Sequence, residues 1–145
     1  MIKIQKKNFS IDKEIAKLKS KYKNTGALTN FIGYVRNKNS KKKVKSIYLE
    51  AYPSMAKENL NKIIAKAKVK WKIIDCLIIH RYGNLKVGEK IVLVAVICEH
   101  RNESFLSCNY IMNYLKKDAP FWKKEIYNND SKWLKNTKVK SSLVL

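Results

Sequence analysis

A chain of 145 residues, 46% of them hydrophobic, is one domain's worth of sequence with enough apolar content to bury a core. It has no apolar run of membrane-spanning length, and its N-terminus (Met-Ile-Lys-Ile-Gln-Lys-Lys) lacks the apolar core of a signal peptide, so a cytosolic protein is expected. The formal charge of +21 favours anionic partners such as nucleic acid, an acidic protein or phosphorylated small molecules, although lysines spread evenly among Asn and Ile also fit a general compositional bias.

Ile2 to Phe9 reads as a short edge strand. Ser10 fits a helix N-cap, with Asp12 and Glu14 facing the dipole in the first turn. Ile11, Ile15 and Leu18 then give a short amphipathic helix ending near Lys23-Asn24. Thr25 to Arg36 is rich in strand formers and contains Gly26 and Gly33; a glycine inside a strand marks a bulge or the close approach of another backbone. Phe31 suits a core position. Arg36 closes this strand ahead of a lysine-rich loop, Asn37 to Lys43, which has almost nothing to bury and is expected to be mobile.

Val44 to Tyr52 alternates as a strand does. Pro53-Ser54 starts a helix with Ser54 as its cap and Leu60, Ile63, Ile64, Ala67 and Trp71 along one face. Ile73 to Tyr82 and Lys90 to His100 form two apolar strands joined by a turn bracketed by Gly83 and Gly88, the pattern of a hairpin. His80 is read as structural. Asn102 is the expected N-cap of a helix from Glu103 to Lys117, whose buried stripe is Phe105, Cys108, Met112 and Leu115. His100 and Arg101 then lie beside free backbone N–H groups that favour an anion.

Tyr114 to Glu125 puts chemistry beside a structural constraint. Pro120 cannot continue the helix and turns Ala119 away from helical angles, so the chain must bend. Lys116 stands before the bend and Lys123 after it, and the bend can bring the two ammonium groups together. At least one should then have a lowered pKa, unless an anion sits between them. Phe121 to Tyr127 and Lys132 to Val139 read as extended segments around an Asn128-Asn129-Asp130 turn, with Trp133 packed and residues 138–145 a flexible arm or docking strand.

Cys76, Cys98 and Cys108 form no closely spaced pair, so neither a disulfide framework nor zinc is expected, and buried inert thiols are. The histidines and carboxylates show no ligand spacing, and no metal site is expected. There is no internal repeat and no Gly-rich phosphate loop. Helices do not alternate strictly with strands, which implies a single α+β domain over 1–145 with a mostly antiparallel sheet and three main helices. One reading of the charge is a basic nucleic-acid-binding module using the Asn37 to Lys43 loop and the lysine faces of the helices.

Four segments together carry a resemblance. They are Gly26-Ala27 through Phe31-x-Gly33-x-Val35-Arg36-Asn37; Leu49-Glu50-x-Tyr52-Pro53-x-Met55; His80-Arg81-x-Gly83 with Gly88-Glu89; and His100-Arg101 leading to Ile111-Met112-x-Tyr114-Leu115-Lys116 and Ala119-Pro120-Phe121-Trp122-Lys123-Lys124-Glu125. Over residues 25–135 this resembles the MoaE family, the large subunits of molybdopterin synthase. The resemblance implies an α/β hammerhead-type fold and a homodimer within a heterotetramer. Each copy would bind a small ubiquitin-like (MoaD-like) sulfur carrier with a C-terminal thiocarboxylate. The implied reaction converts cyclic pyranopterin monophosphate to molybdopterin by two sulfur transfers, with no metal or other cofactor. By the same resemblance Lys116 is the principal catalytic residue and Lys123 its partner. Arg36, His100 and Arg101 bind the phosphate and pterin, Glu125 orients Lys123 or the substrate, and Phe31, Met112 and Pro120 shape the channel for the carrier's tail. The family's further basic residue near the C-terminal strands has no assignable counterpart in Leu134-Lys135-Asn136-Thr137-Lys138.

Overall fold

The structure is a computed structural model that describes residues 1–134. In chain order its first half holds β1 (Ile2–Gln5), α1 (Ile11–Ser20), β2 (Ala27–Tyr34), β3 (Lys38–Asn39), β4 (Lys42–Lys43), β5 (Ser46–Ala51) and α2 (Pro53–Lys70). The second half holds β6 (Ile73–Arg81), β7 (Gly83–Lys86), β8 (Lys90–Cys98), α3 (Arg101–Lys117), β9 (Phe121–Ile126) and β10 (Ser131–Leu134).

The long apolar runs of β6 and β8 can be stable only if both of their faces are covered. They pair antiparallel at the centre of a four-stranded sheet ordered β1-β6-β8-β2, with β1 parallel to β6 at one edge and β2 antiparallel to β8 at the other. On one face, Ala56, Leu60, Ile63 and Ala67 of α2 and Cys108 and Ile111 of α3 pack against Ile78, Val94 and Val96. On the other, Phe9 and Leu18 cover Leu77, Ile79, Leu93, Ala95 and Ile97. Leu60 is fully enclosed, so its truncation to Ala should cost about 2–5 kcal/mol.

A second four-stranded sheet, ordered β10-β9-β5-β7, is antiparallel throughout. Val35, Val44, Ile47, Leu49 and Leu85 form a smaller core beside it. The α+β expectation with three main helices and mainly antiparallel pairing is met, with the described residues forming two four-stranded sheets and the small β3–β4 ladder rather than one sheet.

Several local expectations are corrected. The segment between Gly83 and Gly88 is no simple hairpin turn, because β7 leaves the first sheet and pairs with β5 of the second. Both glycines do adopt positive φ (89° and 87°), as a chain changing sheets twice in a few residues requires. Asn37 to Lys43 folds as the β3–β4 hairpin, with Val44 N–H donating to Asn37 O at 2.9 Å, where a mobile loop is expected from composition. Helix α2 starts at Pro53 after Tyr52, so Ser54 is no cap; proline lacks the N–H that the first helical position leaves unpaired anyway. Helix α3 starts at Arg101 with His100 as N-cap, two residues before the expected Asn102. Ser10 does cap α1, its Oγ accepting from Lys13 N–H at 3.3 Å, but α1 ends at Ser20, ahead of the expected Lys23-Asn24.

The buried stripe of α3 is Ser104, Ser107, Cys108 and Ile111, whereas Phe105 is 64% exposed. Small side chains let the helix sit close on the sheet, and Ser104 Oγ reaches Thr29 Oγ1 at 2.6 Å. Gly26 behaves as expected of a close approach, since a Cβ there would lie 1.9 Å from Glu99 O. A register shift between Gly33 and Tyr34 marks the expected bulge.

Candidate active site

Helix α3 and strand β2 begin together at the Ser104–Thr29 contact and run on side by side, so Arg36, just past β2, comes to the helix end that carries Lys116. Residues 35–36 are held there by the β7–β8 connection, because Val35 N–H donates to Glu89 O and Gly88 N–H donates to Val35 O. At the end of α3 the chain turns as Pro120 demands. Asp118 N–H and Ala119 N–H both reach Tyr114 O, and Phe121 N–H already bonds to Ala119 O as β9 begins.

Strand alternation then places Phe121, Lys123 and Glu125 on one face of β9. Phe121 is buried and its ring stacks on His80 at a centroid separation of 3.7 Å. His80 is enclosed, its Nδ1 lies 2.8 Å from Arg81 O, and burial pushes its pKa down to about 4. The imidazole is therefore a neutral structural plate beneath the bend, as the sequence reading has it. Arg81 is buried too and is spent on structure, donating Nε to Lys6 O and Nη1 to Lys90 O.

Lys123 is half-buried, and its pKa lies below that of a free lysine. Burial is the main cause; the Arg36 and Lys116 charges act in the same sense, while the Glu125 carboxylate opposes them. The expectation that one lysine of the pair is depressed is thus met by Lys123, through desolvation more than through repulsion. Lys116 itself is exposed at the helix end. Glu125 is 3% exposed and accepts from the Asn39 side-chain amide and from the Tyr127 hydroxyl. Nothing in the sequence marks Asn39, since 86 residues separate it from Glu125.

Arg36, Lys116, Lys123 and Glu125 therefore gather at one end of the molecule. Met112 is partly buried against the main core on the same helix, and Pro120 is half-buried at the bend. Phe31 is 39% exposed and is no core residue; it stands on β2, an outer strand of its sheet. His100 and Arg101 do not join this group. They sit at the opposite end of α3, and between Arg101 and Lys116 the helix axis runs about 22 Å at 1.5 Å per residue. Trp133, expected to be packed, is 48% exposed; it meets Tyr48 edge-on at 6.3 Å with Lys124 5.3 Å from its ring, on the other face of the second sheet. The extended segment expected to reach Val139, the tail 138–145 and the search for a further basic residue in 135–138 lie outside the described residues.

The thiols are not poised for chemistry. Burial pushes Cys76 up to about 12 and Cys108 to about 11, and raises Cys98 as well. Among the described residues no group of three or more His, Cys, Asp or Glu gathers as metal ligands would, and no helix is long and apolar enough to cross a membrane.

Fold and site define an α+β domain with a cationic, lysine-centred cluster where a helix end meets a strand. The sequence pattern of the family described as MoaE protein matches residues 4–118. A molybdopterin synthase catalytic subunit of Ralstonia nicotianae is 43% identical over 133 residues, covering 92% of this chain and 76% of the relative. One of Haemophilus influenzae is 46% identical over 109 residues, covering 75% and 73%. The solved structure of the molybdopterin biosynthesis MoaE protein from Burkholderia ambifaria superposes with a TM-score of 0.83 at 38% identity, covering 98% of this chain and 93% of that one. The chain belongs to the MoaE family. None of these likenesses supports the nucleic-acid-binding reading.

Proposed function

We propose that this chain is the catalytic subunit of a cytoplasmic molybdopterin synthase. It converts cyclic pyranopterin monophosphate to molybdopterin by two sulfur transfers from the C-terminal thiocarboxylate of a small ubiquitin-like subunit. The observation that carries this reading is the half-buried Lys123, held near Arg36 and Lys116 at the Pro120 bend in a chain with these relatives. A phosphate on the substrate and a carboxylate-like tail on the donor both call for cations, and a +21 chain steers an acidic partner toward itself. Because the chain's own thiols are buried and held protonated, the sulfur has to come from outside, and no cofactor is invoked for the step.

Lys116, exposed at the helix end, is the residue that meets the incoming thiocarboxylate and stabilises developing oxyanion charge. Lys123, with its lowered pKa, is the better proton carrier as sulfur adds and water leaves. Phe31, Met112 and Pro120 line the approach of the donor tail.

His100 and Arg101 bind substrate only if a second copy presents them, since their own helix holds them about 22 Å from Lys116. A homodimer in which each site borrows this pair from the partner meets that need. The outer position of β2, with Phe31 and Phe105 exposed, supplies an apolar surface for such pairing. The test is reconstitution with a thiocarboxylated small subunit and the cyclic pyranopterin. Molybdopterin from the wild type and its loss with Lys116→Ala are expected. No product from a folded, assembled complex would remove the enzyme assignment.

A further inference from the structure

Residues 37–43 include Lys38, Lys41, Lys42 and Lys43, yet they close into a hairpin in which Asn39 faces Lys42 and Ser40 turns the tip at φ 55°. Asn39 is the one partly buried residue of that stretch. Its amide donates to Glu125 Oε1 at 2.5 Å, and the Tyr127 hydroxyl donates to the same oxygen at 3.0 Å. A carboxylate as enclosed as Glu125 depends on such donors to replace lost water. The hairpin has a second grip, because Lys42 Nζ lies 4.7 Å over the Tyr127 ring and 3.5 Å from Asp130.

We propose that Asn39 is a positioning residue that holds the Glu125 carboxylate beside Lys123 and, through the same hydrogen bond, fastens the basic hairpin across the edge of the lysine site. This rests on the reading of Lys123 as part of that site. The charged groups acting on Lys123 are Glu125 on its own strand, Arg36 after β2 and Lys116 on α3. Its ladder neighbours, Leu49 on β5 and Leu134 on β10, carry no charge. Around Glu125 the groups are Asn39, Tyr127 and Lys132, which faces it from β10. Hairpin seating and the protonation of Lys123 are then one linked equilibrium. Lifting the hairpin removes the donor that holds the carboxylate in place, and a carboxylate free to swing away gives the lysine's charge less support. By reciprocity, protonation of Lys123 favours the seated hairpin.

The experiment is an NMR titration of the Lys123 side-chain nitrogen in the full chain, for wild type, Asn39→Ala, Glu125→Gln and the double variant. Thermal unfolding is recorded for each. Asn39→Ala is expected to lower the Lys123 midpoint and Glu125→Gln to lower it further, with the double variant matching Glu125→Gln alone. Synthase activity should fall about tenfold in Asn39→Ala. Tyr127→Phe removes the other donor to the same oxygen and should move the midpoint in the same direction, which keeps the test open if Asn39→Ala does not fold. An unmoved midpoint in the folded single variants, or an Asn39→Ala shift that persists undiminished in the Glu125→Gln background, would overturn the proposal. The titration needs no substrate, so a wrong assignment of the reaction fails the activity assay and leaves this result standing.

Discussion

The two ends of helix α3 carry the same kind of side chain in opposite settings. At the C-terminal end Lys116 faces a half-buried Lys123, with Arg36 close by and an enclosed Glu125 hydrogen-bonded behind it. At the N-terminal end His100 and Arg101 are exposed and make no side-chain cap on the helix. Desolvation lowers the pKa of Lys123 in the first group, while the second pair stands exposed beside a helix N-terminus, which attracts an anion. Within one copy a single helix keeps the two groups about 22 Å apart, too far to share a small substrate.

The most severe way to break that contrast is at the reactive end. Lys116→Ala should lower molybdopterin formation at least about a hundredfold with no change in melting temperature, since the side chain is exposed. Arg101→Ala should cost about tenfold in kcat/KM, as loss of a charge-assisted contact to phosphate does, and the effect should shrink as salt rises. If the two ends meet only across a dimer, mixing inactive Lys116→Ala with strongly impaired Arg101→Ala and allowing subunit exchange should restore about a quarter of wild-type activity, because half of the dimers then carry one intact site. No gain on mixing would place both ends in sites of their own.

A subtler change is Lys123→Arg. It preserves the cation and removes the titration, so the limb of the pH–rate profile that lies below the ordinary lysine range in the wild type should vanish. The effect expected to touch catalysis least is one on stability, in the support beneath the bend. His80 has its ordinary value of 6.5 in the unfolded chain and about 4 in the fold, so the unfolded state gains protons first as the pH drops. The stability owed to its neutral form is complete above pH 6.5 and declines by about 3 kcal/mol toward pH 4. Urea unfolding at several pH values should show this decline, and His80→Phe, which keeps an aromatic plate on Phe121, should flatten it.

Much of this arrangement is legible in the chain itself. Pro120 dictates the bend, and Lys116 and Lys123 stand on either side of it, so their approach follows from backbone restriction, whereas their role comes only from the family resemblance. The twin apolar runs of β6 and β8 announce a doubly covered sheet. Periodicity fails where packing prefers small groups to apolar ones, as when Ser104 and Ser107 take the buried face of α3 and leave Phe105 outside. Composition fails at residues 37–43, where lysines suggest a loop without structure while one asparagine finds a buried acceptor far along the chain. The distance between Arg101 and Lys116 is plain from helix length once the helix bounds are known, but motif likeness groups these residues by shared role and says nothing of which copy provides them.

Strand β7 has a further consequence. The chain leaves β6 in one sheet, adds β7 to the other and returns as β8, so the central pair of the first sheet is threaded through the second by connections of only one and three residues. Neither sheet can open far without dragging on the other. The domain should therefore melt in one transition, and amide hydrogens on Leu85 should exchange with solvent only on the slow global timescale of those on Ile78 and Val94.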